Sequence, residues 1–158
     1  MLYERHTPRL KMTLRRMLGG RAEEVDDLVQ DTWLATCRGI HGYRGDGKFG
    51  TWLTSIGIRT TLNYLTRVGS RDTQELGEVA SRDGDGDAAG ASVDVERALA
   101  ALPDHQRVVL VLHEIEGFTH DEIAAQLGIA AGTSKATLSR ARQALRDALG
   151  EGVVNGTR

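Results

Sequence analysis

Apolar residues recur at helical spacing along most of the chain. Between Glu23 and Arg38, the positions Val25, Leu28, Val29, Trp33 and Leu34 follow the three-and-four rhythm of an amphipathic helix, with Thr32 and Thr36 between them. Acids gather in its first turn and Arg38 stands in its last, as the helix dipole favours. A second helix is predicted from about Thr51 to Tyr64, burying Trp52, Leu53, Ile56 and Leu62. Breaks fall at Leu18-Gly19-Gly20 and between Gly39 and Gly50. From residue 69 the rhythm stops, and Gly, Ser and Asp dominate to residue 93. Such a stretch buries too little surface to offset the entropy of ordering it. Residues 69–93 therefore read as a flexible acidic linker between a domain at 1–68 and another at 94–150, with 151–158 a disordered tail. The pattern predicts an all-α protein of two small helical domains.

The second domain carries the most informative run. Thr119 and Glu122 form a capping box, in which the hydroxyl takes the Glu122 backbone N–H and the carboxylate reaches back. The short helix they open buries Ile123, Ala124 and Leu127, and Gly128 supplies the left-handed cap that ends it. Ile129 plugs the turn, and a second helix runs from near Gly132-Thr133 to about Leu149. Two helices joined by a tight Gly-containing turn are the arrangement that sets a recognition helix in the DNA major groove. From Gly132 to Arg146 that helix carries Lys135, Arg140, Arg142 and Arg146 and no acid, with Leu138, Ala141 and Leu145 on its other side. Thr133, Ser134, Thr137 and Ser139 add short hydrogen-bonding groups near its start. Alone, the run is an ordinary solvated basic face. The capped helix and glycine turn before it make it a reading helix.

Composition adjusts the picture in two places. Aromatic residues are 4% of the 158, which disfavours a β-sandwich and suits helices built on Ala, Leu and Val. The net charge of −2 conceals a division: residues 1–71 hold 12 basic against 7 acidic side chains, 72–104 hold 2 against 9, and the remainder balances. Local patches matter more to a polyanion than the total. The single cysteine, Cys37, forms no internal disulfide and reads as a buried or half-buried thiol. No apolar run approaches the roughly 20 residues of a membrane span and no signal peptide is visible, so a cytoplasmic location without membrane insertion is expected.

These residues carry a resemblance. Leu102-Pro103, Arg107, Glu116-Gly117, Thr119, Glu122-Ile123-Ala124, Leu127-Gly128-Ile129, Gly132-Thr133, Lys135 and Arg140-Ala141-Arg142 resemble region 4 of bacterial sigma-70 family factors. Leu2 to His6, Asp26 to Trp33, Phe49, Trp52-Leu53, Asn63 to Leu65 and Arg67 resemble region 2. Both regions, in this order and joined by a short linker, match the extracytoplasmic-function (ECF) subgroup. The resemblance implies a sigma region 2 helical bundle and a sigma region 4 helix-turn-helix. Their partners would be core RNA polymerase (its β′ clamp helices and β flap), promoter DNA and an anti-sigma factor. It implies that Thr133, Ser134, Lys135, Thr137, Ser139 and Arg140 face the −35 element, with Arg142 on a phosphate and Arg107 near the DNA backbone. Asp27, Gln30, Asp31 and Thr32 match the polymerase-contact motif. Lys48, Trp52, Arg59, Asn63, Tyr64 and Arg67 match the face that holds the opened −10 element. Ser55, Ile58 and Thr66 stand where relatives commonly carry basic residues, and Arg59 where Asn is common, so this face is poor in positive charge.

Other signals carry less. Asp83, Asp85, Asp87 and Asp94 echo a calcium loop, but Ala88 occupies the position that needs glycine. His113-Glu114 begins a zinc-protease pattern that Gly117 breaks. No cofactor, metal or catalytic constellation is indicated, and the chain is not read as an enzyme. The acidic linker is a candidate mimic of nucleic acid near the polymerase channel. Two other readings stay open: a helix-turn-helix regulator that binds palindromic operators without polymerase, and a sigma-like protein that titrates an anti-sigma factor.

Overall fold

The computed structural model describes residues 1–72 and 90–155, all its regular structure being helical, in two compact units. The predicted features at residues 73–89, among them Asp83, Asp85, Asp87 and the nucleic-acid mimic, lie outside the described residues.

The first unit packs three helices against one another: α1 (Leu2–Leu18), α2 (Val25–Gly39) and α3 (Phe49–Asp72). Leu10, Leu14, Met17 and Leu18 of α1 meet Val25, Leu28 and Val29 of α2 and Leu53, Ile58 and Leu65 of α3 in the core. Threonines share that core because each hydroxyl donates to the carbonyl one turn back: Thr32 to Leu28 and Thr36 to Thr32 at 2.7 Å, Thr61 to Gly57 at 2.9 Å. Gly57 sets how closely the three helices approach. A Cβ there would lie 2.7 Å from Leu10 Cδ1 and 3.5 Å from Thr32 Cγ2.

Three expectations change here. Leu34, predicted buried, is 54% exposed, because the stripe of α2 that meets the core is Val25, Leu28, Val29, Thr32 and Thr36. Cys37 is likewise exposed. On α3 the buried line runs Leu53, Gly57, Ile58, Thr61 and Leu65, which leaves Trp52, Ile56 and Leu62 half-buried.

The second unit comprises α4 (Gly90–Ala101), α5 (Asp104–Leu110), a π-helical turn at Val111–Ile115, α6 (His120–Leu127) and α7 (Ala131–Asn155). Helices α4, α5 and α6 all pack on α7, whose Leu138 and Ala141 are buried. Thr119 caps α6 by accepting from Glu122 N at 3.2 Å, while its hydroxyl donates to the Glu122 carboxylate at 3.1 Å. Gly128 ends α6 at φ 68°, in the left-handed region that favours glycine. Helix α3 runs four residues into the predicted linker, α4 takes its last four, and α7 continues to Asn155, five residues into the predicted disordered tail. Among the described residues, no helix is long and apolar enough to cross a membrane.

Candidate nucleic-acid interface

Helix α7 divides cleanly by side. Ser134, Thr137, Leu138 and Ala141 are buried, whereas Thr133, Lys135, Ala136, Ser139, Arg140, Gln143 and Arg146 are exposed. Of the residues predicted to face DNA, the structure gathers Thr133, Lys135, Ser139 and Arg140 on this open side. It removes Ser134 and Thr137. Ser134 is fully buried and its hydroxyl pairs with His120 Nδ1 at 2.9 Å, tying α6 to α7. Arg142 is exposed but pairs with Glu114 of the π-helical turn. Arg107 lies elsewhere altogether. At 2% exposure its guanidinium donates to Leu102 O at 2.9 Å and pairs with Asp104, so the expectation of a DNA-backbone contact is corrected to a core one.

His120 is stacked on His113, with centroids 4.5 Å apart and rings 14° from parallel. His113 Nδ1 lies 2.9 Å from Phe118 O. A carbonyl only accepts, so that nitrogen carries a proton. Desolvation holds the His120 pKa below its ordinary 6.5, helped by His113, Lys135 and Arg142 and opposed by Asp121.

In the first unit, Arg59, Asn63 and Arg67 stand one turn apart along α3, all exposed, with Trp52 half-buried. Tyr64 sits to one side, half-buried. Burial and the carboxylates of Glu24 and Glu23 raise its pKa, against Arg21 and Arg67. Ile58, noted for its lack of charge, is fully buried on the far side. The aromatic residues of the loop before α3 stack on one another: Phe49 lies 5.3 Å from His6 and 5.8 Å from both Tyr43 and Trp52. Lys48, beside them, is exposed. On α2, Asp27, Gln30, Asp31 and Leu34 share an exposed face, whereas Thr32, predicted to join it, is fully buried.

Two family descriptions match the chain: Sigma-70 region 2 over residues 2–71 and Sigma-70, region 4 over residues 92–145. The ECF RNA polymerase sigma factor SigM of Mycobacterium tuberculosis is 34% identical over 152 residues, spanning 94% of this chain and 76% of SigM. The chain belongs to the ECF sigma factors. The ECF RNA polymerase sigma-E factor of Escherichia coli K12 is 28% identical over 137 residues, spanning 77% of this chain and 72% of that protein. Among solved structures, the sigma factor RpoE in complex with the anti-sigma factor NepR, from Bartonella quintana, matches with a TM-score of 0.68. It is 26% identical and 94% of each chain is covered. CnrH in complex with the cytosolic domain of CnrY matches at 0.56 and 26% identity, covering 99% of this chain and 87% of CnrH.

As an ECF sigma factor, the chain binds core RNA polymerase and directs promoter recognition. Within this sigma factor, sequence reasoning missed the His113–His120 stack and the Glu114–Arg142 pair. Both depend on the π-helical turn, where Glu116 N reaches Val111 O at 3.1 Å and Phe118 N reaches Leu112 O at 2.9 Å. It also missed the cations of α1, although Arg5 and Arg9 stand one helical turn apart and both are exposed.

Proposed function

We propose that this sigma factor divides its work among three faces. The exposed side of α2, with Asp27, Gln30, Asp31 and Leu34, docks on the β′ clamp helices of core RNA polymerase. The row Arg59, Asn63 and Arg67 on α3, with Lys48 and Trp52 at its start, holds the opened −10 element. The exposed side of α7, with Thr133, Lys135, Ser139 and Arg140, reads the −35 element while the second unit rests on the β flap. The chain contributes specificity and no catalysis of its own. The observation that carries this reading is the side-by-side division of α7: from Gly132 to Arg146 its exposed face holds cations and short polar groups and no acid. An anti-sigma factor completes the proposal, supported by the similarity to RpoE, which was solved bound to one.

Run-off transcription with purified core polymerase and this chain, on a genomic promoter library, tests it. Transcripts starting downstream of a shared two-element sequence are expected. Binding to palindromic sites without polymerase, and no transcripts, would instead indicate a regulator that acts alone.

A further inference from the structure

The strand-facing row of α3 does not stop at Arg59. Arg67, Asn63, Arg59, Ser55 and Thr51 follow one another four residues apart, which makes a single inclined ridge on the helix surface. Each of them is exposed or half-buried. Thr51 lies about 12 Å along the axis from Arg59, at 1.5 Å rise per residue. There the ridge meets a cleft between α1 and the first turns of α3, lined by His6, Arg9, Lys48, Gly50, Thr51 and Thr54. The lining offers a guanidinium, an ammonium, an imidazole and two hydroxyls, and it includes no carboxylate. Its space of about 140 Å³ equals that of roughly four or five waters, enough for a phosphate group. A Cβ at Gly50 would lie 3.1 Å from His6 Nδ1, so a larger residue there would crowd the gap between the helices.

The charges along the ridge give the cleft a purpose. Arg59 and Arg67 are the cations of the ridge, and Ser55 and Thr51 between Arg59 and the cleft are neutral. A single strand is held chiefly by neutralised phosphates and stacked bases. The rings nearest this end of α3 are stacked on one another, which leaves charge as the available grip. Arg9 and Lys48 are the next cations a strand would meet, and both are exposed.

We propose that the α1–α3 cleft is a phosphodiester site, in which Arg9 and Lys48 anchor the opened DNA strand beyond Arg59. The proposal rests on the reading that α3 holds that strand. Each phosphate contact to a single strand contributes about 0.7 to the slope of log K against log salt, which amounts to about fivefold in affinity at 0.1 M salt.

The full chain is titrated into a fluorescein-labelled, mixed-sequence single-stranded 20-mer over a range of NaCl concentrations, with anisotropy as the readout. The double variant Arg9→Gln/Lys48→Gln is expected to lose about 1.4 from the slope and about 25-fold in affinity at 0.1 M salt. Both side chains are exposed, and unchanged far-UV circular dichroism and melting temperature are expected to show that the fold is intact. Arg59→Gln/Arg67→Gln reports on the ridge separately. If that variant weakens binding while Arg9→Gln/Lys48→Gln does not, the cleft has no part in holding the strand, as would be so if it served an acidic protein segment, and the proposal falls. If the wild-type chain shows no salt-dependent binding, the capture reading fails and takes the proposal with it. Inorganic phosphate at matched ionic strength is expected to leave the strand bound. Displacement by millimolar phosphate would make the cleft a free-anion site and overturn the assignment.

Discussion

The guanidinium of Arg107 lies in the core of the second unit, between the Leu102 carbonyl and the Asp104 carboxylate. A buried cation is tolerated only where such partners replace its water. Here they fasten the first turn of α5 to the corner at Leu102-Pro103. Arg107→Ala is expected to destabilise the second unit by about 2 kcal/mol, in the range for hydrogen bonds to charged groups, since half-exposed Asp104 regains water. Urea unfolding of the full chain, followed by far-UV circular dichroism, measures this. A DNA-contacting arginine would behave oppositely, with stability kept and the salt slope of duplex binding reduced. Arg107, Ser134 and Thr32 were misplaced for one reason. Residue type and spacing show that a group is polar, but whether its partner is solvent, DNA or a carbonyl inside the fold depends on packing. Thr32 and Thr36 satisfy themselves on their own helix, so they read as surface residues and sit in the core.

At the scale of elements, what local chemistry determines was legible. The Thr119 cap, the Gly128 stop and the apolar side of α7 follow from residues within a turn or two of each other. The π-helical turn was not, because no residue type demands it. It aligns His113 with His120 and Glu114 with Arg142, contacts that exist only after α5, α6 and α7 have packed. A pH dependence follows from that alignment. His120 faces His113 and the Glu114–Arg142 pair at the turn, Asp121 on its own helix, and Lys135 on α7. Its folded pKa is depressed, so below 6.5 the unfolded chain binds more protons than the folded one. The stability that neutral His120 contributes is therefore complete above about pH 6.5 and is lost as pH falls towards its lower folded value. The melting midpoint of the second unit is expected to fall between pH 7 and 5.5, and to fall less in His120→Gln. Imidazole NMR provides the direct check: a His120 that titrates at or above 6.5 would contradict the assignment.

Across the whole molecule, charge separates the tasks. The first 71 residues carry an excess of five positive charges, yet Asp27 and Asp31 make the open face of α2 acidic. A face of that sign repels DNA, so the same domain presents a protein-docking side and a strand-holding side without confusing them. In the second domain the exposed side of α7 around Arg140 has a single electrostatic task. Two substitutions should therefore fail at different steps. Asp31→Lys reverses a charge on the docking face, and charge reversal at an interface costs about 2 kcal/mol or more, roughly thirtyfold in affinity for core polymerase. Its binding to duplex promoter DNA, measured with the chain alone, should retain the wild-type salt slope. Arg140→Ala should keep polymerase affinity and lose about 0.9 from that slope, the share of one phosphate contact on B-DNA. Native-gel titration of core polymerase and filter binding at several salt concentrations read the two quantities separately. If Asp31→Lys changes the DNA slope, or Arg140→Ala weakens polymerase binding, the two faces are not independent and the division of tasks by charge is wrong.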